Sequence, residues 1–409
     1  MNNRLLSSLS AELEHELPAA VALRHRLHAR PRVSGEEGET RDLVLAALPN
    51  GNDMAEVADT GAVVRIGGDG PAVALRAELD ALAVAEATGV PWASERPGVM
   101  HACGHDVHLA AVVAVARTVA RVGGPAPLLA VLQPREETYP SGARDITEDG
   151  VLEREACRAI VGAHVQPLLP VGTVSCTPGV VNASSDEFTV TVHGRGGHAA
   201  YPHLTRDPVV ALAHVVVALQ SLVSRGIDPM SSIALSVTTL EAGTAANVTP
   251  GVAVARGTIR AMRTADRETV HTRLAEVADM TARAHGCTAE VRFTRGEPVL
   301  DNDPRLAAAT GALLTSLGLT ASHELRSVGS DDFSFFSERL PALMMFVGTH
   351  GDGTQLHSPT FLPDDARVRD VAHALLAGYL AAAELTAAGN AAAPPATPER
   401  EVPVTVDNL

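Results

Sequence analysis

The sequence predicts an α/β fold: a mixed, mostly parallel sheet covered by helices, interrupted by a smaller ferredoxin-like α+β domain. Three observations predict it. Through the first 180 or so residues, short apolar runs flanked by glycine alternate with longer runs of helical period, the pattern of a covered parallel sheet. Near Gly179 the order changes to β-α-β-β-α-β, that of a ferredoxin-like unit. From Asp303 the first pattern resumes. The expected organisation is therefore residues 1–180 as the first part of the larger domain, 181–295 as an inserted domain and 296–386 as the second part. Residues 387–409 form an Ala/Pro/Glu-rich tail with no apolar period, expected to be disordered.

Taken in order, Glu12 to His28 reads as an amphipathic helix with Leu13, Leu17, Val21, Leu23 and Leu27 near helical spacing, stopped by Pro31. Glu39 to Leu48 reads as a second helix. Ala62–Ile66 and Ala72–Arg76 read as strands, and the second runs into Asp80, where α/β sheets place their chemistry. Leu109 to Val122 is an Ala/Val-rich helix ended by two glycines. Leu128–Gln133 and Ala159–Ala163 are strands, with Glu136-Glu137 and His164 leaving their ends. In the insertion, Glu187–Val192, Ile233–Thr239, Val252–Ile259 and Ala289–Phe293 are strands, and Asp207–Ser224 and Arg267–His285 are helices. Asp303–Leu317 is helical, Ser330–Phe333 opens another helix with acidic residues suited to its dipole, Ala342–Val347 is a strand, and Asp364–Thr386 closes the chain.

The charge balance narrows the function. A net charge of −16 with no basic run argues against nucleic acid or an anionic membrane as partner. Cys103, Cys157, Cys176 and Cys287 show no paired spacing, which fits a reducing compartment better than a disulfide framework. The N-terminal run has no long apolar stretch, so neither a signal peptide nor a membrane span is expected, and the expected location is cytoplasmic.

The chemistry centres on Met100-His101-Ala102-Cys103-Gly104-His105-Asp106-Val107-His108. A thiolate and an imidazole both suit zinc-like metals, and Gly104 lets the backbone turn so that both face one point. Taken alone, a Cys-Gly-His is more often a buried thiol beside an ordinary histidine. Its company changes the balance: with Glu137, His164 and His357 it gives five candidate ligands, enough for two ions if one ligand bridges, each ion keeping an open position. Glu136, beside Glu137, is free to act as a general base.

The runs RAELDAL (76–82), PGVMHACGHDVH (97–108), QPREE (133–137), GRGGHAAYPH (194–203), GTAANVTP (243–250), GTIR (257–260) and LHSP (356–359) resemble, in order, the metal-dependent aminoacylase, hippurate hydrolase and auxin-conjugate hydrolase family. The resemblance implies a di-metal aminopeptidase-like catalytic domain with residues 181–295 as its lid and dimerisation domain. It implies Cys103, His105, Glu137, His164 and His357 as metal ligands and Glu136 as general base in cleaving N-acyl-amino acids to a carboxylic acid and a free amino acid. Cys103 is expected to bridge, with His105 and His164 on one ion and Glu137 and His357 on the other. Zinc or manganese is the expected metal, with cobalt or nickel also compatible. Asp80 is expected to orient a ligand imidazole. His101, Asp106 and His108 are open between that role and a structural one. His198 is a candidate oxyanion donor, and Asn247 and Arg260 are candidates for the substrate carboxylate. The expected assembly is a homodimer or a homotetramer.

The chain departs from the family pattern at Ala83, Arg135, Thr138 to Ser141 and Asp331. Arg135 and Tyr139 stand near Glu136 and are expected to reshape the pocket. Three other readings stay open: a dipeptidase or carboxypeptidase of the same fold, a thiol enzyme using Cys103 and His105, and a metal-binding relic without catalysis.

Overall fold

The structure is a computed structural model that describes residues 3–49, 53–350 and 354–389. Its main sheet has eight strands in the order 54–57, 61–66, 128–133, 72–78, 157–170, 342–350, 173–175 and 320–322. The four central strands run parallel, and antiparallel pairs lie toward both edges. The strand Ala72–Glu78 is buried along its whole length, as a strand covered on both faces must be. Helices Asn3–Ala29, His105–Val122, Pro304–Ser316 and Ala366–Ala387 bury Leu13, Leu23, Leu27, Val112, Val119, Leu314 and Leu375 in one core on one face. A smaller core around Ile160, Phe333, Phe336 and Met344 lies on the other face.

Strands Ser184–His193, Ile233–Ala242, Val252–Ala261 and Thr288–Arg295 form a separate antiparallel sheet, ordered 233–242, 252–261, 184–193, 288–295. Helices Pro208–Gly226 and Thr264–Ala284 pack on it around Phe188, Val215, Ile259 and Leu274. The chain passes between the two sheets twice, next to a short ribbon that pairs Gly179–Asn182 with Leu300–Asn302.

Several elements differ from the sequence expectation. The first helix begins at Asn3 and carries Pro18 inside it. The helix expected from Leu109 begins at His105, so the metal-type motif forms its N-terminal turn. His164 does not leave a strand end: the strand runs on to Pro170, and His164 sits within it opposite Phe346. No helix begins at Ser330. Asp331 Oδ1 accepts the Phe333 N–H at 2.9 Å, and a single turn follows at Ser334–Ser337. Short strands at 54–57, 173–175, 179–182, 300–302 and 320–322, and helices at 142–149 and 151–154, had no periodic signature. Of the expected disordered tail, residues 390–409 lie outside the described residues, while Ala387 ends the last helix.

Candidate metal centre

Gly104 sets the local geometry. Its φ of 84° and ψ of 18° lie in the left-handed region, which glycine enters without steric cost. The turn places Cys103 just before the helix and His105 on its first residue. A Cβ at position 104 would lie 2.6 Å from Val165 Cγ2, so glycine is also required by packing against the neighbouring strand.

Ligand-type atoms then converge. Cys103 Sγ lies 3.3 Å from His164 Nε2. Cys103, His105 and Glu137 offer ligand atoms all within 4.8 Å of one another. His357, whose φ is 64°, places Nε2 3.3 Å from Glu137 Oε1. The two buried imidazoles are held the same way. His105 Nδ1 donates to the Asp80 carbonyl at 2.9 Å, and His164 Nδ1 donates to the Val165 carbonyl at 2.7 Å. Each Nε2 is thereby left facing the centre, where its lone pair is available to an ion, the pattern by which metal-binding histidines are oriented. Among the described residues, His105 Nε2 and Glu137 Oε1 are buried without a hydrogen-bond partner, Glu137 Oε1 lying beside the His357 ring. Burial pushes the Cys103 thiol well above its usual range, so the thiolate needs a cation beside it. These orphaned donor atoms fit a metal.

Asp80 does hold a ligand-type imidazole, that of His105, and does so through its backbone. Its carbonyl, not its carboxylate, receives the His105 proton, and Oδ1 stands off at 3.6 Å. Its Oδ2 accepts the Glu137 backbone N–H at 2.9 Å and the Ser34 hydroxyl at 2.7 Å, fixing the loop that carries Glu136 and Glu137.

Glu136 Oε2 lies 3.7 Å from His105 Nε2. Burial raises its pKa well above the usual carboxylate range, and the neighbouring carboxyls of Glu137, Asp331 and Asp332 raise it further. Arg135 does not enter this pocket. Its guanidinium donates to the carbonyls of Pro140 and Ala58 and pairs with Asp59 and Asp145, away from Glu136. Tyr139 also turns outward, and its hydroxyl accepts the Glu297 N–H at 3.0 Å beside a passage between the two domains.

Among the described residues, those expected in the inserted domain make no hydrogen bond or ion pair with Cys103, His105, Glu136, Glu137, His164 or His357; their partners lie elsewhere. His198 is exposed on the ribbon pairing Gly197–His198 with Val248–Thr249, and Asn247, just before that ribbon's second strand, is exposed too. The His198 Nδ1 accepts the Ala200 N–H at 3.1 Å, which leaves its Nε2 as the donor. Arg260 donates to Ser330 Oγ at 2.8 Å, joining the inserted domain to the loop that holds Asp331. His101 is buried, and among the described residues neither of its ring nitrogens has a hydrogen-bond partner. Asp106 bonds His28 at 3.0 Å and Arg24 at 3.2 Å, tying the motif to the first helix.

Sequence reasoning missed Arg76 and Glu78, both in the quoted run 76–82 and both 1% exposed. Two ionisable residues inside an otherwise apolar strand were the available signal.

Comparison with known proteins gives a consistent picture. The model of peptidase family M20/M25/M40 matches residues 74–378. The N-acetylcysteine deacetylase of Bacillus subtilis (strain 168) is 35% identical over 84% of this chain and 92% of its own length. The N-acetyldiaminopimelate deacetylase of Exiguobacterium sibiricum is 32% identical over 85% of this chain and 95% of its own. Among solved structures, a putative aminohydrolase from methicillin-resistant Staphylococcus aureus superposes with a TM-score of 0.86 at 28% identity, covering 93% of this chain and 99% of that one. A Bacillus subtilis dinuclear metal-binding peptidase of the M20 family superposes with a TM-score of 0.80 at 31% identity, covering 91% and 99%.

Proposed function

The chain belongs to peptidase family M20/M25/M40, and on that premise we propose that it is a metal-dependent amidohydrolase that removes the acyl group of small N-acyl-amino acids. N-acetyl-amino acids are the first substrates to try, since the relatives at 32–35% identity are deacetylases of N-acetylcysteine and N-acetyldiaminopimelate. One observation carries the reading. Two imidazoles, each with its far nitrogen held by a carbonyl, a buried thiol and a carboxylate oxygen 3.3 Å from a third imidazole converge beside a carboxylate of raised proton affinity.

In this reading Cys103, His105, Glu137, His164 and His357 hold two divalent ions, zinc or manganese first, with cobalt or nickel as alternatives. The pairs Cys103–His164 and Glu137–His357, each 3.3 Å apart, keep these side chains close enough that together they would hold the ions. Bound ions supply Lewis acidity toward the amide carbonyl and toward water. Glu136 accepts the proton of the attacking water and returns it to the departing amine nitrogen, a role for which a carboxylate of raised pKa is suited. His198 presents Nε2–H as a donor for the oxyanion once the inserted domain closes, or from a second copy. Arg260 exchanges Ser330 for the substrate carboxylate, while Asn247, beside His198 and at the Val252 end of the strand Val252–Ala261, would reach that carboxylate from a second copy.

A homodimer or homotetramer goes with this reading. The strand Ile233–Ala242 lies at a sheet edge, and the adjoining helix Pro208–Gly226 exposes Val209, Val210 and Val217 (71% exposed), apolar surface that a second copy would cover.

The test is amine release from N-acetyl-, N-benzoyl- and indoleacetyl-amino acids and from dipeptides after loading with manganese or zinc. Release confined to acyl-amino acids, lost in Glu136→Ala and on chelation, is expected. Release from dipeptides alone would replace the reading with a dipeptidase. Activity that survives chelation would point to Cys103 as nucleophile, and no release with metal bound would leave the relic reading.

A further inference from the structure

Beneath the centre lies a second tight group of ligand-type residues: Glu78, His105, His108 and His164 offer atoms within 4.8 Å of one another. Its hydrogen bonds show that the two residues outside the proposed metal site, Glu78 and His108, are already committed. Glu78 Oε1 receives Arg76, and Oε2 receives the His108 Nδ1–H at 2.9 Å. The remaining ring nitrogen, His108 Nε2, accepts the Val165 backbone N–H at 3.0 Å, so it has no lone pair left for an ion. Arg76 is anchored in turn by Gln133 and Asp332, each at 2.7 Å. Arg76, Glu78 and His108 are at most 1% exposed, and a buried network with every member satisfied is rigid.

What this network holds is the residue after His164. The Val165 N–H is fixed by His108, while the Val165 carbonyl takes the His164 Nδ1 proton. The His108 ring also lies 4.6 Å from the His164 ring, centroid to centroid. Backbone position and ring rotation of His164 are thus set together, with Nε2 directed at Cys103.

We propose that His108, held by the Arg76–Glu78 pair, is a positioning residue that aims His164 at the metal. The proposal rests on the reading of His164 as a ligand. Two conservative variants separate the two bonds. His108→Gln keeps an acceptor oxygen near the Nε2 position for the Val165 N–H, whereas His108→Asn keeps a donor for Glu78 and loses that acceptor.

The experiment titrates the metal-free full-length chain with cobalt(II), following absorption bands of the bound ion, and measures melting of each metal-free variant. The expected result is a dissociation constant raised 10–100-fold for one ion in His108→Asn and His108→Phe, as when other outer partners of metal-binding histidines are lost, and less than threefold in His108→Gln. His164→Ala must lose that same ion. If it does not, the ligand reading fails. If it does, while His108→Asn stays within threefold of wild type, the positioning role is overturned and the ligand reading stands. Equal losses in His108→Asn and His108→Gln, following equal losses in melting temperature, would mark His108 as structural only and also overturn it. Should His108→Phe fail to fold, the Asn–Gln contrast decides alone.

Discussion

Replacing Gly104 by alanine tests whether the turn that joins Cys103 to His105 is set by backbone conformation, by packing, or by both. The left-handed conformation at φ 84° costs a non-glycine residue about 1–2 kcal/mol. The added Cβ would also lie 2.6 Å from Val165 Cγ2 and 3.6 Å from Phe361 Cε1. Overpacking of this kind in a close-packed core costs roughly 1–3 kcal/mol. The two add to roughly 2–5 kcal/mol in the metal-free protein. Gly89→Ala provides the control, since Gly89 has φ 74° and nothing within 4 Å of a built Cβ; it should cost only the conformational ~1–2 kcal/mol. The difference between the variants, read from urea midpoints at constant slope, isolates the packing contribution. A functional effect should accompany it. The clash is relieved most directly by moving Val165, and Val165 is bonded to His164, so Gly104→Ala should also weaken metal binding while Gly89→Ala should not. Equal destabilisation by the two variants, with unchanged metal affinity in both, would refute the packing reasoning.

Three other outcomes are expected. Glu136→Gln should lower kcat by ~10²–10⁴, the usual contribution of a general base, while metal content measured by atomic emission stays at the wild-type level; near-normal turnover would remove Glu136 from the mechanism. His28 should make stability pH-dependent. Burial opposes its charge, but Asp106 and Glu86 outweigh burial and raise its pKa from 6.5 to about 9. A folded-state pKa above the unfolded one gives stability that is complete below pH 6.5 and lost as pH rises through about 9. Urea midpoints should therefore fall over that window in the wild type more than in His28→Gln, and parallel profiles would contradict the assignment. Arg267→Met should strand the buried Asp186, which Arg267 Nε and His271 Nε2 each hold at 2.7 Å, and so destabilise the inserted domain by roughly 3–5 kcal/mol. Hydrogen exchange localises the effect; a loss spread evenly over both domains would show that Asp186 does not act locally.

Much of the fold was legible because its elements are periodic. Glycine-flanked apolar runs marked the central strands, and the change of order near Gly179 marked the inserted sheet. The order of strands within each sheet was not legible, because pairing such as Ala342–His350 beside Cys157–Pro170 joins segments far apart in sequence. Strands of three or four residues, such as Thr173–Ser175, are too short to show a period. His164 was misplaced at a strand end because the strand continues through Gln166 and Pro167, residues that resemble a boundary when read locally.

By itself, the sequence determined which ligand-type residues stand together. Cys103, Gly104 and His105 are adjacent, so their convergence needs only one left-handed residue, and the seven ordered runs placed the chain in its family. Tertiary structure alone decided which atoms face the centre and which are committed elsewhere. It turned Arg135 away from Glu136, gave the His105 proton to the Asp80 carbonyl, and occupied both nitrogens of His108. Those outcomes depend on partners up to 77 residues apart, as in Arg135 with Ala58, and the Arg76 that pairs with Glu78 is itself held by Asp332, 256 residues away. A side chain's direction follows from which distant donor or acceptor must be satisfied once water is excluded, and local sequence spacing carries no record of that pairing.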